Sequence, residues 1–331
     1  DTNTDKGRAI LKQLVSDADV FLTNVRPGGL SRSGLDYDSL KAVNPKLVYC
    51  SLTGYGLTGP NADRPGFDVA SFWSYAGVAA LTVPKGQEPF PFRTAFGDHT
   101  TSMAAAAGIC AALVEASRTG QGRLVEASLL RTALYALGTD FAIQLFFGRI
   151  GSTKGRAEGP NPLVNFFKTK EGAWLCIVPR QGNADWAPLC RALDLHKHIE
   201  DERFVSAKAR RQYASDLIDL FDAAYARFDK TEMAARLDAE NIAWAPVQTL
   251  AEVAADPQVM AAGGIVQTPI AGQAGQSFAS PASPVRFPGA DDGPKGPSPE
   301  AGEHSRDILT KLGYDGPAIE ALIGEGVIDT F

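Results

Sequence analysis

An α/β fold with a second, smaller α+β domain is predicted for this chain, and three patterns predict it. Two short apolar runs, residues 19–24 and 46–52, read as buried strands with helical spacing between them; two strands joined through a helix imply a parallel sheet. A glycine-rich, charged stretch at 148–162 interrupts the pattern and marks a domain boundary. Beyond it, runs at 163–168 and 173–178 flank Lys170-Glu171-Gly172 as the strands of a hairpin would.

The elements follow in order. Ile10, Leu11, Leu14 and Val15 recur at helical spacing within 6–17. After the first strand come the turn Arg26-Pro27-Gly28-Gly29 and a short helix carrying Leu35 and Leu40. After the second strand, residues 53–66 hold four glycines and two prolines and read as loop. A helix is expected from 68 to near Gly77, and a long alanine-rich helix over 100–117. The turn Arg118-Thr119-Gly120-Gln121-Gly122 leads to a short strand at 123–127 and a helix over 129–147. The small domain, 160–254, adds helices at 184–193, 207–227 and 230–241. Residues 255–331 are expected to return to the large domain of 1–150, ending in two short helices at 304–312 and 317–325. The chain opens on a helix with no strand before it, so the first part of the large domain is expected to lie outside this sequence.

Composition narrows the function. With 331 residues, 44% hydrophobic and 21% charged, the chain can form two real cores. A net charge of −6 argues against a nucleic-acid partner held by phosphate contacts, while leaving room for a local basic site. Cys50, Cys110, Cys176 and Cys190 show no CxxC spacing and are expected to be small buried hydrophobes. No HExxH or similar cluster occurs, so no metal is expected. The polar start and the short apolar stretch at 103–114 predict neither signal peptide nor membrane span, and a cytoplasmic location.

Two segments carry chemistry. Asp98, in Phe96-Gly97-Asp98-His99-Thr100, stands where the long helix begins. An aspartate there is a helix cap or, since a helix N-terminus favours an ionised carboxylate, a nucleophile. The loop Asn24-Val25-Arg26-Pro27-Gly28-Gly29-Leu30-Ser31-Arg32 follows a parallel strand, where open α/β sheets bind ligands. Two arginines and free backbone N–H groups there suit a phosphorylated ligand, or a solvated turn. Phe67, Phe72 and Trp73 line an acyl pocket or fill the core.

Taken together, three blocks resemble the class III CoA-transferases, the CaiB/BaiF group that includes formyl-CoA transferase-like enzymes. They are 18–28, ending Thr23-Asn24-Val25-Arg26-Pro27-Gly28; Tyr55-Gly56-Leu57-Thr58-Gly59-Pro60 with Arg64-Pro65-Gly66-Phe67-Asp68; and Gly97-Asp98 with Arg118-Thr119-Gly120-Gln121-Gly122. Ala245-Pro246-Val247, Asp256-Pro257-Gln258-Val259 and Gly302-Glu303-His304-Ser305 are similar too, so the resemblance spans nearly the whole chain. It implies a Rossmann-like large domain, a small α+β domain and an interlocked homodimer. The site would lie between the large domain of one chain and the small domain of its partner.

The resemblance implies that Asp98 is the nucleophile. It would pass CoA from an acyl-CoA to a carboxylic acid through aspartyl anhydride and thioester intermediates. Asn24, Val25, Gly29 and Arg32 would contact CoA, which serves as substrate rather than as a tightly bound cofactor. The family's α-methylacyl-CoA racemase branch uses a histidine at the position of Phe67, which cannot move a proton. His99, one residue past Asp98, is expected to point elsewhere. Near the domain boundary, Gly159-Pro160-Asn161-Pro162 replaces the family's glycine run, as in the branch acting on aromatic or 2-hydroxy acids. A racemase or epimerase, and a non-catalytic CoA-binding subunit, remain the alternatives.

Overall fold

The structure, a computed structural model, describes residues 1–330 apart from 91, 94 and 292. Its contacts divide the chain into two units, 1–153 with 299 onward, and 154–298.

The first unit opens with α1 (Asp5–Val15), capped by the Thr4 hydroxyl, which accepts the Gly7 N–H at 3.0 Å. There follow β1 (Val20–Thr23), α2 (Pro27–Ser33), α3 (Tyr37–Val43) and β2 (Val48–Thr53). A π-helical stretch (Val69–Tyr75) and α4 (Val78–Thr82) lead to α5 (Phe96–Thr119). β3 (Leu124–Ser128), α6 (Leu129–Ala136) and α7 (Gly138–Phe147) complete this half. The predicted 129–147 helix is thus two helices, and α5 starts four residues before the expected position.

The strands form one parallel sheet in the order β1-β2-β3, with Val20 opposite Val48 and Tyr49 opposite Leu124. β2 is central and covered on both faces, which explains its unbroken apolar run. Side chains alternate along it. Tyr49 joins Val15, Leu30, Leu35, Leu40 and Leu47 on one face, and Cys50 joins Ala105 of α5 and Ala127 of β3 on the other. By length and composition α5 could cross a bilayer; here it packs on β2, β3 and α6, with much of its surface uncovered.

The second unit begins with the expected hairpin, β4 (Asn165–Lys168) antiparallel to β5 (Trp174–Ile177). Next come α8 (Trp186–Ala192), α9 (Ala207–Gln212), α10 (Ala214–Tyr225) and α11 (Lys230–Ala239). β6 (Trp244–Pro246) pairs antiparallel with β5. Then follow α12 (Leu250–Ala255), α13 (Pro257–Ala261) and the hairpin β7 (Ile265–Pro269) and β8 (Ser277–Pro281). One core joins Phe167, Leu175, Ile177, Trp186, Phe221 and Tyr225. Residues 255–298, expected with the large domain, group with this unit; their β7-β8 strands pair with each other and form a separate sheet.

α14 (Ser305–Lys311) and α15 (Gly316–Gly324) return to the first unit. Leu309, Ile319, Leu322 and Val327 enclose Ile10 of α1, and the main-chain nitrogen of Asp1 donates to the Val327 carbonyl at 2.6 Å. Of the cysteines, Cys50 and Cys190 are buried, Cys176 is half-buried and Cys110 is exposed; a place on the uncovered side of α5 overrides the burial expected from its apolar neighbours.

Candidate active site

β1 and β2 end at one cavity of about 870 Å³, which Leu129, just after β3, also lines; this is the position where open α/β sheets bind ligands. Leu22, Thr23, Asn24, Val25 and Arg26 reach it from the end of β1, and Leu52, Thr53 and Gly54 from the end of β2. Ala62, Arg64, Gly66 and Phe67 come from the loop after β2, and Leu129 from the start of α6. Asp98, His99 and Ser102 come from the first turns of α5.

The rotation of α5 puts them there. Gly97, Thr101 and Ala105 form its buried row at four-residue spacing. Asp98 and Ser102 form the next row, so they share a side. Asp98 is the third helical residue, not the cap: the cap position is Ala95, at φ 70°, and it provides no side-chain hydrogen bond. Gly97 is required by space. A Cβ on it would lie 2.4 Å from both Asp68 Oδ1 and Phe72 Cγ.

Asp68 is only 4% exposed, and its Oδ1 accepts the Gly97 N–H at 3.1 Å. Burial, then the charge of Asp98, push its carboxyl above the usual carboxylate range, against the pull of the Gly97, Ala95 and Phe96 N–H groups.

Backbone contacts shape the rest. Gly54 and Gly66 meet so closely that a Cβ on Gly54 would lie 2.7 Å from the Gly66 Cα. Glu126 of β3 accepts the Leu57 N–H at 2.8 Å, and the Thr53 hydroxyl accepts the Gly56 N–H at 2.9 Å. These bonds hold the 53–66 loop over the strand ends.

Of the residues singled out in the sequence, Asp98, Asn24, Val25 and Phe67 line this one cavity. Gly29, Arg32, Phe72 and Trp73 do not. Leu30 faces the core and turns Arg32, two residues on, to the far side of α2, where it is exposed. Gly29 sits within α2, nearest the Val25 side chain. Phe72 is 1% exposed and packs with Val78, Leu129 and Ala133. Trp73 stacks on Phe92 with ring centres 4.2 Å apart.

Sequence reasoning passed over Arg64 and Ser102, offered Arg26 only as one of two loop arginines, and expected His99 to point elsewhere. The two arginines stand inside the quoted motif blocks, which was the available signal. His99 does reach the cavity beside Asp98, because the cavity is wide enough to wrap neighbouring positions of the helix.

Residues 1–305 match CoA-transferase family III. The chain is 30% identical to the (R)-2-hydroxy-4-methylpentanoate CoA-transferase of Clostridioides difficile, over 94% of this chain and 77% of that protein. It is 31% identical to the succinyl-CoA:glutarate CoA-transferase of Mus musculus, over 98% of this chain and 73% of that protein. The crystal structure of a CaiB/BaiF family protein from Brucella suis superposes with a TM-score of 0.81 at 30% identity, covering 94% of this chain and 80% of that one. The chain therefore belongs to CoA-transferase family III and is an enzyme that moves CoA between an acyl-CoA and a carboxylic acid.

Proposed function

We propose that Asp98 carries CoA between the two acids through covalent intermediates. The reading rests on one observation: a carboxylate in the first turn of α5 faces the cavity where β1 and β2 end. The Asp98 carboxylate attacks the donor thioester carbonyl, the C–S bond breaks, and CoA leaves as thiolate from a mixed anhydride. The thiolate attacks the Asp98 carbonyl, and the donor acid leaves as carboxylate from an aspartyl-CoA thioester. The acceptor carboxylate repeats the sequence: it displaces the thiolate to form a second anhydride. The thiolate then attacks the acceptor carbonyl, freeing Asp98 and the new acyl-CoA. Covalent catalysis of this kind divides one difficult transfer into easier steps.

The cavity chemistry supports the assignment of parts. Arg26 and Arg64 offer fixed positive charge to the phosphates of CoA or to an acid. Asn24 and Val25 flank the CoA path. Phe67, 75% exposed on the cavity wall, offers an apolar face to the acyl group. The Clostridioides difficile and Mus musculus relatives make branched 2-hydroxy acids and short dicarboxylates the first acceptors to try.

The test is intact-protein mass after incubation with succinyl-CoA, 2-hydroxy-4-methylpentanoyl-CoA and cinnamoyl-CoA, followed by hydroxylamine or borohydride treatment. An adduct mapped to Asp98, and lost in Asp98→Ala, is expected. CoA binding without any adduct would overturn the covalent route. A second reading, proton exchange at the α-carbon, is favoured by His99 lining the same cavity as Asp98; solvent deuterium entering the acyl-CoA would establish it.

The enzyme is further proposed to work as an interlocked homodimer. α7 has no buried residue in the single chain, and Phe146 is 81% exposed beside Leu145 and Phe147. With the uncovered side of α5, this is more apolar surface than a lone chain leaves in water. Light scattering at a dimer mass is the expected result.

A further inference from the structure

The buried carboxyl of Asp68 is a group that the chemistry above does not use. It is buried and stands outside the cavity lining, yet it touches the turn that carries Asp98. We infer that Asp68 is a positioning residue for Asp98: its carboxyl closes the open first turn of α5 from outside the helix and fixes where the nucleophile points. The inference rests on the reading of Asp98 as nucleophile.

Four observations carry it. First, α5 has no cap of its own. Ala95 has no side-chain acceptor and sits at φ 70°, the left-handed region that favours glycine, so the helix start is held by something beyond local preference. Second, Asp68 supplies what is missing. Its Oδ1 accepts the Gly97 N–H at 3.1 Å, and the carboxyl also faces the N–H groups of Ala95 and Phe96.

Third, the contact is shaped for this carboxyl. A methyl group at Gly97 would occupy the space of Oδ1, at 2.4 Å. Fourth, Asp68 Oδ2 is buried without a hydrogen-bond partner among the described residues. An unpaired buried oxygen is costly, so the carboxyl is kept against this turn at a cost to stability. Asp68 is itself held firmly, since it leads directly into the π-helical stretch, where the Ser71 N–H bonds the Phe67 carbonyl at 2.8 Å.

The chemistry gives such a residue a purpose. Asp98 serves in turn as nucleophile and as the carbonyl under attack, so one carboxyl must stay placed for successive attacks from different partners. A displacement of about 1 Å costs roughly a hundredfold in rate.

The experiment compares wild type, Asp68→Ala, Asp68→Asn and Gly97→Ala in the full chain. Rapid-quench mass spectrometry follows adduct formation with the acyl-CoA of the panel that labels wild type best, and calorimetry gives CoA affinity. Asp68→Ala is expected to form the adduct about a hundredfold more slowly with unchanged CoA affinity. Asp68→Asn, whose amide oxygen still accepts the Gly97 N–H, is expected to recover most of that rate. Gly97→Ala, which displaces the carboxyl instead of deleting it, is expected to be as slow as Asp68→Ala, and it serves in its place should that variant not fold. Native rates in Asp68→Ala or in folded Gly97→Ala overturn the inference, as does a parallel loss of CoA affinity and rate that Asp68→Asn fails to rescue. A wild type that takes no label from any donor overturns the nucleophile assignment and this inference with it; a labelled wild type with an equally fast Asp68→Ala overturns this inference alone.

Discussion

The carboxylate of Asp63 accepts the backbone N–H of Gly28 at 2.8 Å, while Arg26 donates to the main-chain oxygen of Asp63 at 3.2 Å. These two bonds tie the loop after β1 to the loop after β2, and Arg26 and Arg64, next to Asp63, both line the cavity. Asp63→Ala is therefore expected to loosen the mouth without touching the reacting carboxylate. Losing this cap on α2 costs about 1 kcal/mol of stability, and a rise in KM for acyl-CoA of up to roughly fivefold at unchanged kcat is expected. Steady-state kinetics checks it; a fall in kcat at constant KM would contradict the assignment.

Phe72 distinguishes core from pocket. Its ring lies 5.8 Å from Trp73 and 6.2 Å from Phe96, centre to centre, inside a buried cluster. Phe72→Ala is expected to cost about 3–5 kcal/mol of stability, and Phe72→Leu to cost less in the same direction. Neither should reorder the preference among acyl-CoA donors. Urea melts and a donor panel on Phe72→Leu measure both.

The Gly54–Gly66 contact makes a prediction about coupling. A Cβ on either residue would come within 2.7 Å of the other's Cα and 2.9 Å of Ser71 Oγ, and backbone cannot yield as a flexible side chain can. Each single alanine variant is expected to lose about 1–3 kcal/mol. The double variant should lose less than the sum, because both methyl groups force open the same contact. Thermal melts of the three variants would show additive losses if the contact were unimportant.

Acid stability of the second unit is expected to depend on Asp185. The residue is 2% exposed, accepts the Arg180 N–H at 2.6 Å and is paired with the Arg180 guanidinium. Burial alone would raise its carboxyl, but the bonds and charge from Arg180 outweigh that and hold it below the ordinary 3.8. The unfolded chain then takes up this proton first as pH falls. The stabilisation is present above 3.8 and is lost as pH drops through the lower folded value. Asp185→Asn should remove that part of the pH dependence. Denaturant melts from neutral to acidic pH would contradict this if both proteins lost stability in parallel.

Much of the architecture was legible because local and tertiary signals agree. β2 is apolar along its length since both its faces are covered, and the 163–178 hairpin follows directly from its turn. The start of α5 was not legible. Its closing group, Asp68, lies far back in the chain, so the sequence alone places the helix from residue 100, with Asp98 at its start, rather than from Phe96. Arg32 stands apart from this cavity for a related reason: the motif names the segment, but only the burial of Leu30 decides which way α2 turns. Phe72 and Trp73 illustrate a third limit, since aromatic residues look alike in a core and in a pocket until packing separates them. The large-domain return was expected at 255 and occurs at 299, because the β7-β8 pairing is a local signal with no address in it.

The enclosure of Ile10 also sets an order of events. The residues that cover it, Leu309 through Val327, leave the ribosome long after it. The second unit has its whole sequence, and its own core, long before that. Non-local closure of this kind is slow, and domains fold as units during synthesis. α1 must therefore hold an unfinished helix surface open, or shielded by other proteins, until α14 and α15 have been synthesised. The face of α1 that holds Ile10 is thus among the last surfaces of its unit to close.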